Sequence, residues 1–385
     1  MTVREKVQGL GLYPTREPVI LALLSALAIV GFLAVGGLSR MFHAQQEALA
    51  NRWFTRGTGD LKDGHFDLAV GDFRAALRYS RDNYDYQLNL AQSLIGLKKT
   101  DEAYAYLINL WEREPENGLV NLELARIAAQ KGQTEPALRY YHNAIYATWP
   151  GDQEVQRRST RMELIEYLLG IKAKPQAQSE LIALAANLGD DPALHQHVGD
   201  LFVQAQDYEH ALAEYRLTLK SDHHNSPALA GAGLAAFDLG RYSLAQRYLQ
   251  VAVAVNPGDE QSADLLKTTD LVLQMDPYQR QISADQRNRI VIEAFAAAGD
   301  RLNSCAATVN SSGTRSYESL EQSLIDSWAK MKPKINERDL RRDPDLTEKA
   351  MDLVFEIERQ TKTACGAPTG TDLALLLIAK LHEGN

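Results

Sequence analysis

Apolar and polar positions divide this chain into three regimes. Residues 19–38 form one run without a charge, residues 50–259 repeat amphipathic blocks of fixed length, and residues 283–385 keep helical spacing after the blocks have ended. The spacing is helical throughout, so the expected fold class is all-α.

The first run holds twenty residues between Arg16-Glu17-Pro18 and Arg40. At about 1.5 Å per helical residue it reaches ~30 Å, the thickness of a hydrocarbon layer. A single transmembrane helix over residues 19–39 is therefore expected, after a head at residues 1–18. The competing reading is a cleaved secretory signal. Its apolar region usually runs about 7–15 residues and ends in an Ala-x-Ala-like site, conditions this run does not meet cleanly. A buried core helix would show a polar face, and none of the turns has one. Charge leaves the orientation tied, because Arg4, Lys6 and Arg16 precede the run while Arg40, Arg52 and Arg56 follow it. The short head, and a cysteine pair compatible with an oxidising space, favour the head inside and the body on the extracytoplasmic (periplasmic) side.

Beyond the run, Ala69, Ala103 and Ala137 stand 34 residues apart, and after a six-residue insertion the spacing resumes at Ala177, Ala211 and Ala245. Twelve residues before each alanine stand Gly57, Ala91, Ala125, Ile165, Gly199 and Gly233. All but Ile165 are small enough for two helices of a hairpin to approach closely. Four residues after each alanine stand Phe73, Leu107, Tyr141, Leu181, Tyr215 and Leu249, one turn on and on the same helical face. About six hairpins follow, at 50–83, 84–117, 118–151, 158–191, 192–225 and 226–259. Their apolar stripes exceed what one hairpin can bury, so they stack. Gly132 and Gly240 fall where a helix must end and turn, the usual left-handed cap position. The fourth block is irregular, with Lys174-Pro175 at its turn and the insertion at 150–157 before it.

This pattern resembles the tetratricopeptide repeat family, whose unit is 34 residues long, and the resemblance covers residues 50–259. It implies a right-handed α-solenoid, a capping helix over 260–276, and a concave groove lined by the first helix of every repeat that binds proteins or peptides. In this register the groove presents Thr55, Thr58 and Lys62, then Asn89 and Gln92, then Glu123, Arg126 and Gln130. Glu163 and Glu166 follow, then Gln196, His197 and Asp200. The family's carboxylate clamp needs Lys and Asn at set positions of neighbouring first helices. Phe54, Thr58, Leu88 and Gln92 stand there instead, so capture of a chaperone tail is not expected. Amide groups suit an extended peptide backbone; the alternative is a solvated face with the partner bound elsewhere.

Past Pro277, helical spacing predicts helices over 284–302, 316–330, 344–363 and 372–381, a small helical C-terminal domain within 283–385. Cys305 and Cys365 each directly follow a helix there. One expectation is a disulfide between them, and the other is two unrelated buried thiols.

Composition then narrows the chemistry. A net charge of −9 over 385 residues opposes any grip on a phosphate backbone, so nucleic acid is not an expected partner. Two cysteines are too few for a zinc site built of thiolates. The chain lacks a Gly-rich phosphate loop, a nucleophile elbow, a His-Glu-x-x-His run and a paired-cysteine motif. Neither catalysis nor a metal, cofactor or small-molecule substrate is therefore expected. His195 and His197 are two apart and do not share a helical face, so they read as solvated or capping. The whole reads as a membrane-tethered protein–protein interaction scaffold in envelope assembly, secretion or complex biogenesis. A permanent structural subunit of a membrane complex is the alternative.

Overall fold

The computed structural model describes residues 16–311 and 322–382. Most of the expected head, and the start of the helix expected from 316, lie outside the described residues. Paired helices run in chain order: α1 (Arg16–Lys62) with α2 (Phe66–Tyr79), α3 (Tyr84–Gly96) with α4 (Thr100–Arg113), and α5 (Gly118–Gln130) with α6 (Thr134–Tyr146). Next come α7 (Gln153–Gly170) with α8 (Lys174–Ala185), α9 (Pro192–Gln204) with α10 (Tyr208–Ser221), and α11 (Ser226–Asp238) with α12 (Tyr242–Val255). The C-terminal elements are α13 (Glu260–Met275), α14 (Ala284–Ser311), α15 (Gln322–Met331), a 3-10 turn (Lys332–Lys334), α16 (Glu337–Arg342), α17 (Pro344–Cys365) and α18 (Gly370–His382). The chain divides into two compact units between Arg161 and Met162, inside α7.

Each hairpin turn follows one rule. Gly64, Lys98, Gly132, Lys172, Gln206 and Gly240 all have φ between 60° and 77°, five residues before the register alanine. The next residue's N–H then reaches back across the turn, as in His65 N to Asp60 O (2.8 Å), Lys99 N to Leu94 O (2.9 Å) and Arg241 N to Ala236 O (2.8 Å). These bonds satisfy carbonyls that the helix end would leave open. First helices begin on a second rule. The side chains of Asn83, Asn117, Asp191 and Asn225, and of Asp259 before α13, each accept an N–H of the first turn. Arg157 holds that position in the fourth block, where no cap forms. The helix starts earlier at Gln153, with Asp152 accepting from Glu154 N (3.1 Å), so the insertion is absorbed as an 18-residue helix.

The small positions meet the aromatic and leucine positions directly. A Cβ on Gly57 would lie 2.9 Å from Phe73, one on Gly199 2.8 Å from Tyr215, and one on Gly233 2.6 Å from Leu249. Ile165, the exception, is fully buried with Leu181 in the core of the second unit.

In the first unit, α1 continues for 47 residues from the apolar run into the first hairpin, about 70 Å at the helical rise. Residues 40–50 contain neither Pro nor Gly, so nothing ends the helix near 39. Among the described residues nothing covers its apolar stretch; Leu27 is 70% and Phe32 79% exposed. In the second unit, α13 packs between α12 and α18, and the core runs unbroken from Tyr242 and Val272 through Phe295, Leu302 and Val354 to Ile378. The C-terminal helices thus share one core with the capping helix. At its edge Leu381 sits over the turn at Gly240, where a Cβ would be 2.5 Å away. A disulfide joins Cys305 on α14 to Cys365 at the end of α17, with Cα atoms 5.8 Å apart.

Candidate functional site

The register places ten of the thirteen expected groove residues in two columns along the first helices, with Lys62, Gln130 and Gln196 outside them. Thr55, Asn89, Glu123, Glu163 and His197 stand fourteen residues before the register alanine, and Thr58, Gln92, Arg126, Glu166 and Asp200 eleven before it. Positions three apart share a helical face. Thr55, Asn89 and Glu123, with Thr58, Gln92 and Arg126, belong to the first unit, and Glu163 and His197, with Glu166 and Asp200, to the second.

In the first unit several of these groups are already committed. Thr55 donates its hydroxyl to Asn51 O (2.8 Å), Thr58 to Thr55 O (2.9 Å), and the Asn89 amide to Asp85 O (2.8 Å). These side chains keep oxygen lone pairs but have spent a donor on their own helix. Glu123 is buried and accepts from Arg126 Nη1 at 3.1 Å, so its carboxylate is withdrawn from the surface. Lys62 and Gln130 are exposed and Gln92 is half-buried, and none of the three is hydrogen-bonded within the protein. They are the donors left for a ligand. Lower on the same helices, Phe54 packs 4.8 Å from Tyr86 and 5.8 Å from Phe73 between ring centroids, so the clamp position of the first hairpin is filled by core.

In the second unit Asp200 accepts from the Tyr215 hydroxyl at 2.7 Å. Burial, reinforced by this bond and the Asp200 charge, pushes the Tyr215 pKa up. Glu166 is exposed, Gln196 and His197 are half-buried, and all three are free of internal partners. His195, expected to be solvated or capping, is neither. It is 7% exposed, with Nδ1 2.6 Å from Glu214 Oε2 and Nε2 2.8 Å from Gly189 O. His195 and His197 do lie on different faces of α9, and the partner of His195 stands nineteen residues away on α10, beyond the reach of helical spacing. Among the described residues no group of three His, Cys, Asp or Glu side chains is placed to hold a metal.

Electrostatics along the outer faces consist of pairs between successive hairpins, such as Lys131 with Asp101 (2.6 Å), Arg74 with Glu102, and Arg241 with Glu209. Being exposed, each contributes little to stability, about 0–1 kcal/mol.

A tetratricopeptide repeat family model matches residues 54–107. A search of curated proteins finds no match. Among solved structures, the chain is similar to the C-terminal part of a TPR repeat-containing protein from Cytophaga hutchinsonii at 15% identity, covering 62% of this chain and 92% of that one with a TM-score of 0.45. It is also similar to PilF of Pseudomonas aeruginosa (17% identity, 57% and 97% coverage, TM-score 0.39). A third likeness is to YrrB, described as a TPR protein with an unusual peptide-binding site (15% identity, 50% and 95% coverage, TM-score 0.39).

Proposed function

We propose, on the premise that this is a tetratricopeptide-repeat protein, that it is a membrane-tethered interaction scaffold holding extended segments of partner proteins on the extracytoplasmic side. The observation that carries this reading is the set of uncommitted polar groups on the first helices: Gln92 in the first unit and Glu166 and His197 in the second, which stand in the register columns, with Lys62, Gln130 and Gln196 on the same helices. Gln offers both a donor and an acceptor, which matches the alternation of C=O and N–H along a peptide backbone. Side chains that recognise backbone rather than particular side chains suit a scaffold with several clients, and weak contacts along the face add up by multivalency.

Two features support the tether and the compartment. The apolar segment of α1 is left uncovered by the other described residues and is long enough to cross a bilayer. The Cys305–Cys365 disulfide belongs to an oxidising space. Envelope assembly, secretion or complex biogenesis are the processes such a tethered scaffold serves, and the arrangement is one for binding rather than catalysis.

The test is affinity purification of the full-length protein from chemically crosslinked native membranes. Lys62→Glu/Gln92→Ala/Gln130→Ala should lose at least tenfold of the recovered partners with an unchanged thermal melt. Unchanged recovery would place binding elsewhere.

A further inference from the structure

Outside the first-helix face, the second unit carries an open cavity of about 680 Å³ between α15, the 3-10 turn, α16 and the start of α17. Local sequence makes its surroundings unusual for an acidic chain. Residues 330–342 hold Lys330, Lys332, Lys334, Arg338, Arg341 and Arg342 against Glu337 and Asp339, in a protein of net charge −9.

The structure sorts these cations. Arg341 turns to Asp285 (3.0 Å) and Glu337 (3.9 Å), and Lys332 lies 4.6 Å from the Trp328 ring centroid. Arg338 does not line the cavity; Lys330, Lys334 and Arg342 do, joined by Lys349 on α17, so that each of the four elements around it supplies one cation. All four line it, are exposed and have no carboxylate partner. Of the two lining carboxylates, Asp339 is occupied, accepting from Asn336 Nδ2 at 2.8 Å. The floor is apolar, formed by the half-buried Met331 and by Leu346, 8% exposed. The wall is fixed by close packing, since Trp328 lies where a Cβ on Gly299 would be 2.1 Å away and donates to Phe295 O at 3.3 Å.

We infer that this cavity binds an acidic peptide segment, with spaced carboxylates on the four free cations and one apolar side chain on Met331 and Leu346. A free phosphate has no use for the apolar floor. A long polyanion meets the opposing field of the whole chain, whereas a short acidic segment feels mainly the local cations within a screening length of about 8 Å. A volume in the range of about 300–1,000 Å³ suits one anchored side chain with its flanking backbone. This inference stands apart from the first-helix reading, and variants at Lys62, Gln92 and Gln130 leave it untouched.

The test uses the full-length protein in nanodiscs of zwitterionic lipid and fluorescence anisotropy of a fluorescein-labelled peptide of Glu and Asp around a central Phe. The acidic peptide should bind, and its Gln/Asn counterpart should bind at least tenfold more weakly. Rising salt should weaken the complex, and Lys334→Glu/Lys349→Glu should weaken it at least tenfold. Lys334→Met/Lys349→Met, which keeps the aliphatic stems, should weaken it as well, while Lys267→Glu on α13 should not. Equal binding of the neutral peptide, no binding of the acidic one, or undiminished binding by both double variants overturns the inference. Full displacement by millimolar inorganic phosphate or by vesicles containing anionic lipid would also overturn it, and would assign the cavity to a phosphate or a headgroup.

Discussion

Nδ1 of His195 lies 2.6 Å from Oε2 of Glu214, and both side chains are buried between the two helices of the fifth hairpin. The carbonyl of Gly189 can only accept, so Nε2 donates to it, and the ring is held between the loop before α9 and the body of α10. A register defined by alanines and glycines thus includes a polar rivet, in the hairpin that follows the irregular block.

Removing one half of that pair strands the other. His195→Leu leaves the Glu214 carboxylate buried without its partner and should cost about 3 kcal/mol, whereas Glu214→Gln, which can still hydrogen-bond the ring, should cost about 1 kcal/mol. Urea unfolding of the detergent-solubilised protein reads both. Equal, small losses would mean that water replaces the pair freely.

The left-handed turns predict gains as well as losses. Lys98, Lys172 and Gln206 hold φ values of 60–62° that cost an L-residue energy. Each exchange to Gly should stabilise by roughly 0.5–1 kcal/mol. Gly132→Ala should destabilise by about 1 kcal/mol, although its Cβ would meet open space, because its φ is +69°. Gly118→Ala acts by another route: its Cβ would lie 2.3 Å from the buried Trp149 ring, so the indole must move. Thermal midpoints of these variants separate the two mechanisms.

Glu358 makes stability depend on pH. Both its carboxylate oxygens are buried without hydrogen bonds. Burial, helped by the Asp372 charge and opposed by Arg301, raises its pKa from 4.5 to about 8. The folded state therefore holds a proton that the unfolded state has released. Stability should decline as pH rises from about 4.5 to about 8 and level off above that. Glu358→Gln should remove this slope and be the more stable protein at pH 8.5, by on the order of 2 kcal/mol. Parallel slopes for the two proteins would show that Glu358 does not titrate as described.

The disulfide gives a direct reading of compartment. It closes a separation of 60 residues, for which loop entropy gives roughly 4 kcal/mol as an upper figure. Reductant should lower the unfolding midpoint of the wild type and leave Cys305→Ala/Cys365→Ala unmoved. In intact cells, a membrane-impermeant maleimide should label the protein only after reduction. Labelling without reductant, and only after lysis, would put the body in the cytoplasm.

Much of the fold was legible because it is local and periodic. The alanines at 69, 103, 137, 177, 211 and 245 and the small residues before them announce contacts that recur once per hairpin. The Asn and Asp caps at 83, 117, 191, 225 and 259 obey the same count and could have been found by it. Other features depend on distances that no period encodes. Glu214 meets His195 through the packing of two helices, and Glu123 sinks into the core although its register position reads as surface. The cations at 330, 334 and 342 are close in sequence, but that Lys349 joins them over an apolar floor follows from the packing of α15, α16 and α17. The end of the apolar run says where lipid contact stops, not where the helix stops, and so α1 continues.

Photo-crosslinking in intact membranes locates the binding surface, with a photoreactive amino acid placed singly at Gln92, at Gln130, or at exposed Leu68 on α2 of the full-length protein. Discrete adducts to other proteins are expected from positions 92 and 130 and none from 68. Adducts from 68 with none from 92 or 130 would contradict that expectation, moving the binding surface off the first helices.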